Sequence, residues 1–124
     1  MSFLDEFKDQ PYLNLETYRR SGEALRTPVW FVRHADRLYI RTVAGSGKVK
    51  RVRREPRVRV ALCQVNGDVT GAWAEARARE IHGDAAVEAL VDRLLDDKYG
   101  EIKRQMAAQA AQDGRRYTIL EVTS

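Results

Sequence analysis

Hydrophobic positions recur with a period of two along most of this 124-residue chain. Tyr12-Leu13-Asn14-Leu15-Glu16-Thr17-Tyr18 alternates and is rich in strand formers, which predicts a strand. Ser21-Gly22-Glu23 reads as a turn, so residues 25–33 are its predicted hairpin partner. That segment holds Val29-Trp30-Phe31-Val32, too apolar for a strand with one wet face. Asp36-Arg37, with His34 beside it, predicts another turn, and residues 37–42 a third strand. Residues 57–65 alternate cleanly, with Val58, Val60 and Leu62 on one face and Arg57 and Arg59 on the other. Asn66-Gly67-Asp68 is a hairpin turn signal. Residues 72–81 then read as a fifth strand in spite of their alanines, with a helix over 72–80 as the competing reading, and residues 116–123 form the last strand.

Elsewhere the period changes. Residues 3–10 predict a short helix ended by Pro11. A second, basic helix follows Ser46 and closes at Pro56. After Gly83-Asp84, the positions Val87, Leu90, Val91, Leu94, Leu95 and Tyr99 follow helical spacing, with Asp84 as cap and Gly100 as stop. Asp92, Asp96 and Asp97 fall opposite that apolar stripe and are expected to be solvated. Residues 101–113 continue as a weaker helix rich in alanine and glutamine. The order predicts an α+β, mainly β fold in one domain spanning residues 1–124. Its six antiparallel strands form a closed or partly closed barrel, with the basic helix inserted and a helical excursion before the last strand. So small a barrel fills itself with side chains, so a ligand binds on its rim or between subunits. Association of copies would bury the aromatic surface around Trp30, Phe31 and Trp73.

Composition narrows the classes. No apolar run approaches membrane-spanning length, and Met1-Ser2-Phe3-Leu4-Asp5-Glu6 lacks the basic-then-apolar order of a secretory signal. Cys63 is the only cysteine, which excludes an intramolecular disulfide and points to a cytoplasmic setting. His34 and His82 stand in no ligand-like spacing, so no metal site is expected, and nothing local supports a Cys63–His82 pair. No residue is identified as catalytic, so an enzyme of this sequence needs a cofactor for its chemistry.

The formal charge of +4 is unevenly spread. Lys48, Lys50, Arg51, Arg53, Arg54, Arg57 and Arg59 crowd together against Glu55 alone. Such a patch attracts anions. No helix-turn-helix, stacking platform or basic–aromatic interleaving accompanies it, which argues against nucleic acid. At the start of the basic helix, Ser46 is a candidate N-cap whose hydroxyl can accept a first-turn amide, and Gly45 and Gly47 let backbone approach a ligand. Free amides, the positive helix end and the Lys48 ammonium converge where a phosphate would sit.

The spacing Thr42, Ser46, Lys48 followed by Arg53-Arg54-Glu55-Pro56 resembles the flavin-phosphate loop of the pyridoxamine 5′-phosphate oxidase-like split-barrel proteins. The segment Thr27-Pro28-Val29-Trp30-Phe31 strengthens the likeness. Ser-Gly-Lys, a basic helix and Arg-Arg-x-Pro are most similar to the small deazaflavin-dependent branch. The resemblance covers residues 12–81 well and the helical region more loosely. It implies a six-stranded split barrel of the FMN-binding type, a homodimer with cofactor sites at its interface, and an oxidoreductase. Reduced coenzyme F-420, a deazaflavin with a phosphate and a polyglutamate tail, would pass a hydride to an electron-poor small-molecule acceptor. FMN use, or a non-catalytic flavin or deazaflavin binding protein, is the alternative.

By the same resemblance Thr42, Ser46, Gly47 and Lys48 hold the phosphate, and Pro28, Val29 and Trp30 lie along the ring. Arg41 stands at the rim, and Trp73 is a further candidate. The oxidase pattern usually has a basic residue at the position of Gly47, so one phosphate charge is missing there. Lys50, Arg51, Arg53 and Arg54 are expected to compensate for it, some of them facing solvent where an anionic tail could run. If Val49 and Val52 point inward, Lys48 and Arg53 flank them, and Lys50, Arg51 and Arg54 point outward.

Overall fold

In the computed structural model, which describes residues 6, 7, 10–105, 114 and 116–124, the period-two segments form one antiparallel sheet. The elements run β1 (Leu13–Tyr18), β2 (Ala24–Val29), β3 (Val32–His34), β4 (Arg37–Val43), α1 (Gly47–Arg54), β5 (Arg57–Leu62), β6 (Ala74–Ile81), α2 (Ala85–Tyr99) and β7 (Tyr117–Thr123). The sheet order is β2-β1-β5-β6-β7-β4-β3. β2 and β3 are separated in the chain only by Trp30 and Phe31, yet lie at opposite ends of that order. The sheet must therefore curl until its two edges approach, which makes it a split barrel with its seam at Trp30-Phe31.

Among the described residues the strands number seven, not six, because the stretch expected as one strand over 25–33 is broken at that seam. Residues 72–81 are a strand, as expected, beginning at Ala74. Ala76 and Ala78 face the same apolar cluster as Val49 and Val52, so their small side chains leave room for α1 against β6. The expected helix over 3–10 lies outside the described residues except for Glu6, Phe7 and Gln10, and of the helix over 101–113 only residues 101–105 are described, as helix.

Alternation along each strand builds two cores. Leu38 and Ile40 of β4, Leu120 and Val122 of β7, and Leu13 and Leu15 of β1 fill the barrel, which Val49 and Val52 of α1 close at one end. On the opposite face Tyr39 and Ile119 pack with Val32 and with Val91 and Leu95 of α2. Thr42 shares the inward row of β4, and Arg41 the row facing α2. Asp84 caps α2 as expected, its carboxylate accepting the Val87 amide at 3.1 Å. Among the described residues no helix is long and apolar enough to cross a membrane.

Two carboxylates are buried on the outward rows, each under arginines. Glu16 is fully buried and accepts from Arg59 at 2.6 and 3.0 Å, from Arg26 at 2.8 Å and from the Tyr18 hydroxyl at 2.7 Å. Both guanidiniums also lie over the Trp73 ring, at 4.7 and 5.1 Å from its centroid. Glu121 is held in the same way by Arg79, Arg37 and the Tyr39 hydroxyl. The Arg59 hydrogen bond outweighs burial and holds the Glu16 carboxyl at about 2, against an ordinary 4.5.

A folded-state pKa below the ordinary value stabilises the fold above about 4.5, and that contribution is lost as pH falls towards 2. Glu16→Gln is expected to cost roughly 2 kcal/mol of stability at neutral pH. It should also flatten the acid limb of stability measured by denaturant titration across that window.

Candidate functional site

The loop between β4 and α1 brings Thr42, Ser46 and Lys48 together. The Lys48 ammonium donates to Thr42 Oγ1 at 2.9 Å. Burial, and then the neighbouring Arg51, push Lys48 below its ordinary value. Gly45 has a φ of 79°, the left-handed conformation in which glycine turns the chain into the helix without strain.

Ser46 occupies the N-cap position, and its carbonyl accepts the Lys50 amide at 3.1 Å. Its hydroxyl does not cap the helix, contrary to expectation, and is buried with no hydrogen-bond partner among the described residues. The first-turn amides of a helix have no intrahelical partner, and no side chain caps those of α1. The first turn of α1 also carries no acidic residue.

Arg51, expected to point outward, instead folds back. Its Nε donates to the buried Thr17 hydroxyl at 2.7 Å, and a Cβ at Gly47 would lie 2.7 Å from its terminal nitrogen. The guanidinium thus occupies the space that a side chain at position 47 would enter, which restores to the loop the cation that Gly47 lacks. Burial, Arg19 and Arg54 lower Arg51 from its ordinary value. The i,i+4 spacing of Gly47 and Arg51 on one helix face was the available signal for this residue.

The other expected residues lie apart from this loop. Val49 and Val52 point inward as expected. Arg53 is engaged by Glu80 at 2.7 Å, and Glu80 also accepts from Thr118. Lys50 is exposed. Pro28, Val29, Trp30 and Arg41 line one cavity of about 270 Å³ with Tyr12, Leu95, Lys103 and Tyr117. Arg41 and Thr42 are neighbours on β4 that face opposite sides, so this strand end joins cavity and loop. Arg41 donates to Asp92 at 3.0 Å and lies over the Tyr117 ring.

Asp92 and Asp96 are not simply solvated, since both accept from the buried Lys103, at 2.6 and 2.8 Å. Trp73 covers the Glu16 cluster on another part of the sheet. No metal-binding cluster occurs among the described residues. The β5–β6 register places Cys63 and His82 at opposite ends of their hairpin, and burial raises the Cys63 thiol. The loop fits a phosphate by its groups: among the described residues it holds a buried unpartnered hydroxyl, two cations with no carboxylate partner, and first-turn amides that the N-cap side chain does not take up.

The whole length of this fold, residues 2–124, matches the profile of the pyridoxamine 5′-phosphate oxidase family, and the chain belongs to that family. Among solved structures it is similar to HutZ, a heme storage protein of Vibrio cholerae, with 15% identity, a TM-score of 0.70, and 99% of this chain and 90% of that one covered. A FAD-binding protein of Mesorhizobium loti matches with 14% identity and a TM-score of 0.65, covering 99% and 87%. A 5-nitroimidazole antibiotic resistance protein of Bacteroides thetaiotaomicron, so described provisionally, matches with 12% identity and a TM-score of 0.66, covering 91% and 72%. At these identities the likeness is one of fold. No curated protein matches the chain.

In the cofactor-free protein the unpaired Ser46 hydroxyl and the buried Lys48 ammonium both oppose folding. Ser46→Ala and Lys48→Met are each expected to leave stability unchanged or raise it by about 1 kcal/mol in denaturant titrations. A loss of stability in both variants would contradict the reading of this loop as a site held open for an anion.

Proposed function

We propose that this chain is an oxidoreductase that uses reduced coenzyme F-420 for hydride transfer to an electron-poor organic acceptor. The observation that carries the reading is the Thr42–Lys48 loop, where Lys48 and Arg51 stand unneutralised beside the buried, unpartnered Ser46 hydroxyl. In this reading Thr42, Ser46 and Lys48 hold the phosphate with the amides of Gly47 and Lys48, and Arg51 supplies the further charge. Pro28, Val29 and Trp30 orient the ring and exclude water around it. Arg41 stands at the junction of the two.

The acidic tail is assigned to the arginine surface beyond the loop. Arg54 leads from it into an open cleft of about 700 Å³ that Arg19, Arg20, Arg57 and Arg77 line together with Glu55 and Glu75. Arg57 and Arg77 are directly opposed across β5 and β6. Glu55 engages Arg57 at 2.7 Å, and Arg77, which no carboxylate engages among the described residues, is the cation open to an anion in the cleft. When bound, the reduced deazaflavin supplies the hydride; the chain's own residues position and shield the reacting face. A second copy of the chain completes the site, because β2 and β3 each leave one edge unpaired beside the ring-lining residues.

FMN in the same place is the second reading, favoured by the FAD-binding description of the Mesorhizobium loti protein. Titration of the purified protein with coenzyme F-420 and with FMN, followed by fluorescence, decides between them. Saturable binding of F-420 is expected, weakened by about tenfold or more in Lys48→Ala, the worth of one charge-assisted hydrogen bond. Tight FMN binding without F-420 binding would overturn the deazaflavin assignment, and an unchanged Lys48→Ala would remove the phosphate role of that lysine.

A further inference from the structure

Phe31 is the residue on which the chain passes from one sheet edge to the other. It is fully buried and belongs to no strand, so its peptide groups need partners outside the sheet ladder. The last turn of α2 supplies them. Tyr99 Oη accepts the Phe31 amide at 3.1 Å, and Lys98 Nζ donates to the Phe31 carbonyl at 2.8 Å. The Tyr99 hydroxyl also donates to the Pro11 carbonyl at 2.7 Å, which ties the start of β1 to the same point.

Two ring contacts reinforce the join. The Lys98 ammonium lies 3.5 Å from the Phe31 ring centroid, and the Tyr99 ring stacks on Trp30 at 4.1 Å with planes 8° apart. Burial raises the Tyr99 phenol far above its ordinary value, so it stays a neutral hydroxyl able to accept and donate at once. β2 pairs with β1 alone and that ladder ends at Val29, so it restrains Pro28 and Val29 from one side and does not reach Trp30 or Phe31.

We propose that Lys98 and Tyr99 are positioning residues that set the conformation of the 28–31 segment, and with it the shape of the cavity formed by Pro28, Val29 and Trp30. The identity of the ring in that cavity rests on the proposed function; the clamp itself does not. Loss of the hydroxyl frees the Phe31 amide without emptying the stack, whereas loss of the ring also removes the support under Trp30.

The test compares the full chain with Tyr99→Phe, Tyr99→Leu and Lys98→Met. Amide hydrogen exchange at Phe31 is measured without ligand, and binding is measured with inorganic pyrophosphate, F-420 and FMN. Tyr99→Phe is expected to speed Phe31 exchange by about tenfold or more, as loss of one buried hydrogen bond implies. It should leave pyrophosphate affinity unchanged and weaken whichever ring cofactor the wild type binds. Tyr99→Leu should in addition change the near-ultraviolet dichroism of Trp30.

Unchanged Phe31 exchange in both Tyr99→Phe and Lys98→Met overturns the clamp. Equal losses of pyrophosphate and ring affinity indicate general loosening, and unchanged ring affinity despite faster exchange severs the clamp from the cavity; either result overturns the positioning role. If the wild type binds neither cofactor, the proposed function fails, while the exchange result still decides the clamp.

Discussion

The backbone of Phe31 is the point on which the architecture turns. A sheet whose end strands are joined by two residues cannot lie flat, and the joining residues cannot take part in its ladder. The peptide groups of Phe31 are nevertheless buried, and a buried peptide group without a partner costs as much as a lost hydrogen bond. The Lys98 and Tyr99 side chains meet that requirement from a helix whose own apolar face is seated on the outer side of the same sheet. Closing the barrel, docking α2 and shaping the cavity beside Trp30 are therefore one packing problem.

Charge divides the molecule in the same way. Most arginines on the outward rows are structural: Arg26 and Arg59 neutralise Glu16, Arg37 and Arg79 neutralise Glu121, and Arg53 neutralises Glu80. These pairs let carboxylates sit under the sheet surface, where burial alone would raise their pKa values. Lys48 and Arg51 differ. Both are lowered by burial and by like charges, and their hydrogen bonds go to threonine hydroxyls rather than carboxylates. Two half-buried cations in one loop, with no carboxylate partner among the described residues, are what the proposed anion would neutralise.

Much of this was legible in the chain. Alternation placed most strand ends within one or two residues, but the strand expected over 57–65 stops at Leu62 and that over 25–33 is split at Val29. The shift to helical spacing located α2 with its cap and its glycine stop. The seam was not legible, because Val29-Trp30-Phe31-Val32 runs through the crossing as one unbroken apolar stretch and the groups that meet its backbone lie 68 and 67 residues away on α2. Distance in sequence also hid the partner of Arg53, since Glu80 is 27 residues on, and the pairing of Asp92 with Lys103. Ser46 read correctly as a cap by position and incorrectly as a cap by hydrogen bond, because the β4–α1 turn leaves its hydroxyl buried away from the first-turn amides. Arg51 was placed outward by helix periodicity alone; the missing side chain at Gly47 is what lets it fold back.

In the proposed function one ligand bridges the loop and the cavity from the two sides of the β4 end. Backbone amide shifts of the full chain, recorded as coenzyme F-420 is added, test this most directly. Two clusters of shifts that saturate together are expected, one over residues 46–48 and one over residues 29–31. Shifts confined to the arginine cleft around Arg54, Arg57 and Arg77, with neither of those clusters moving, would contradict it.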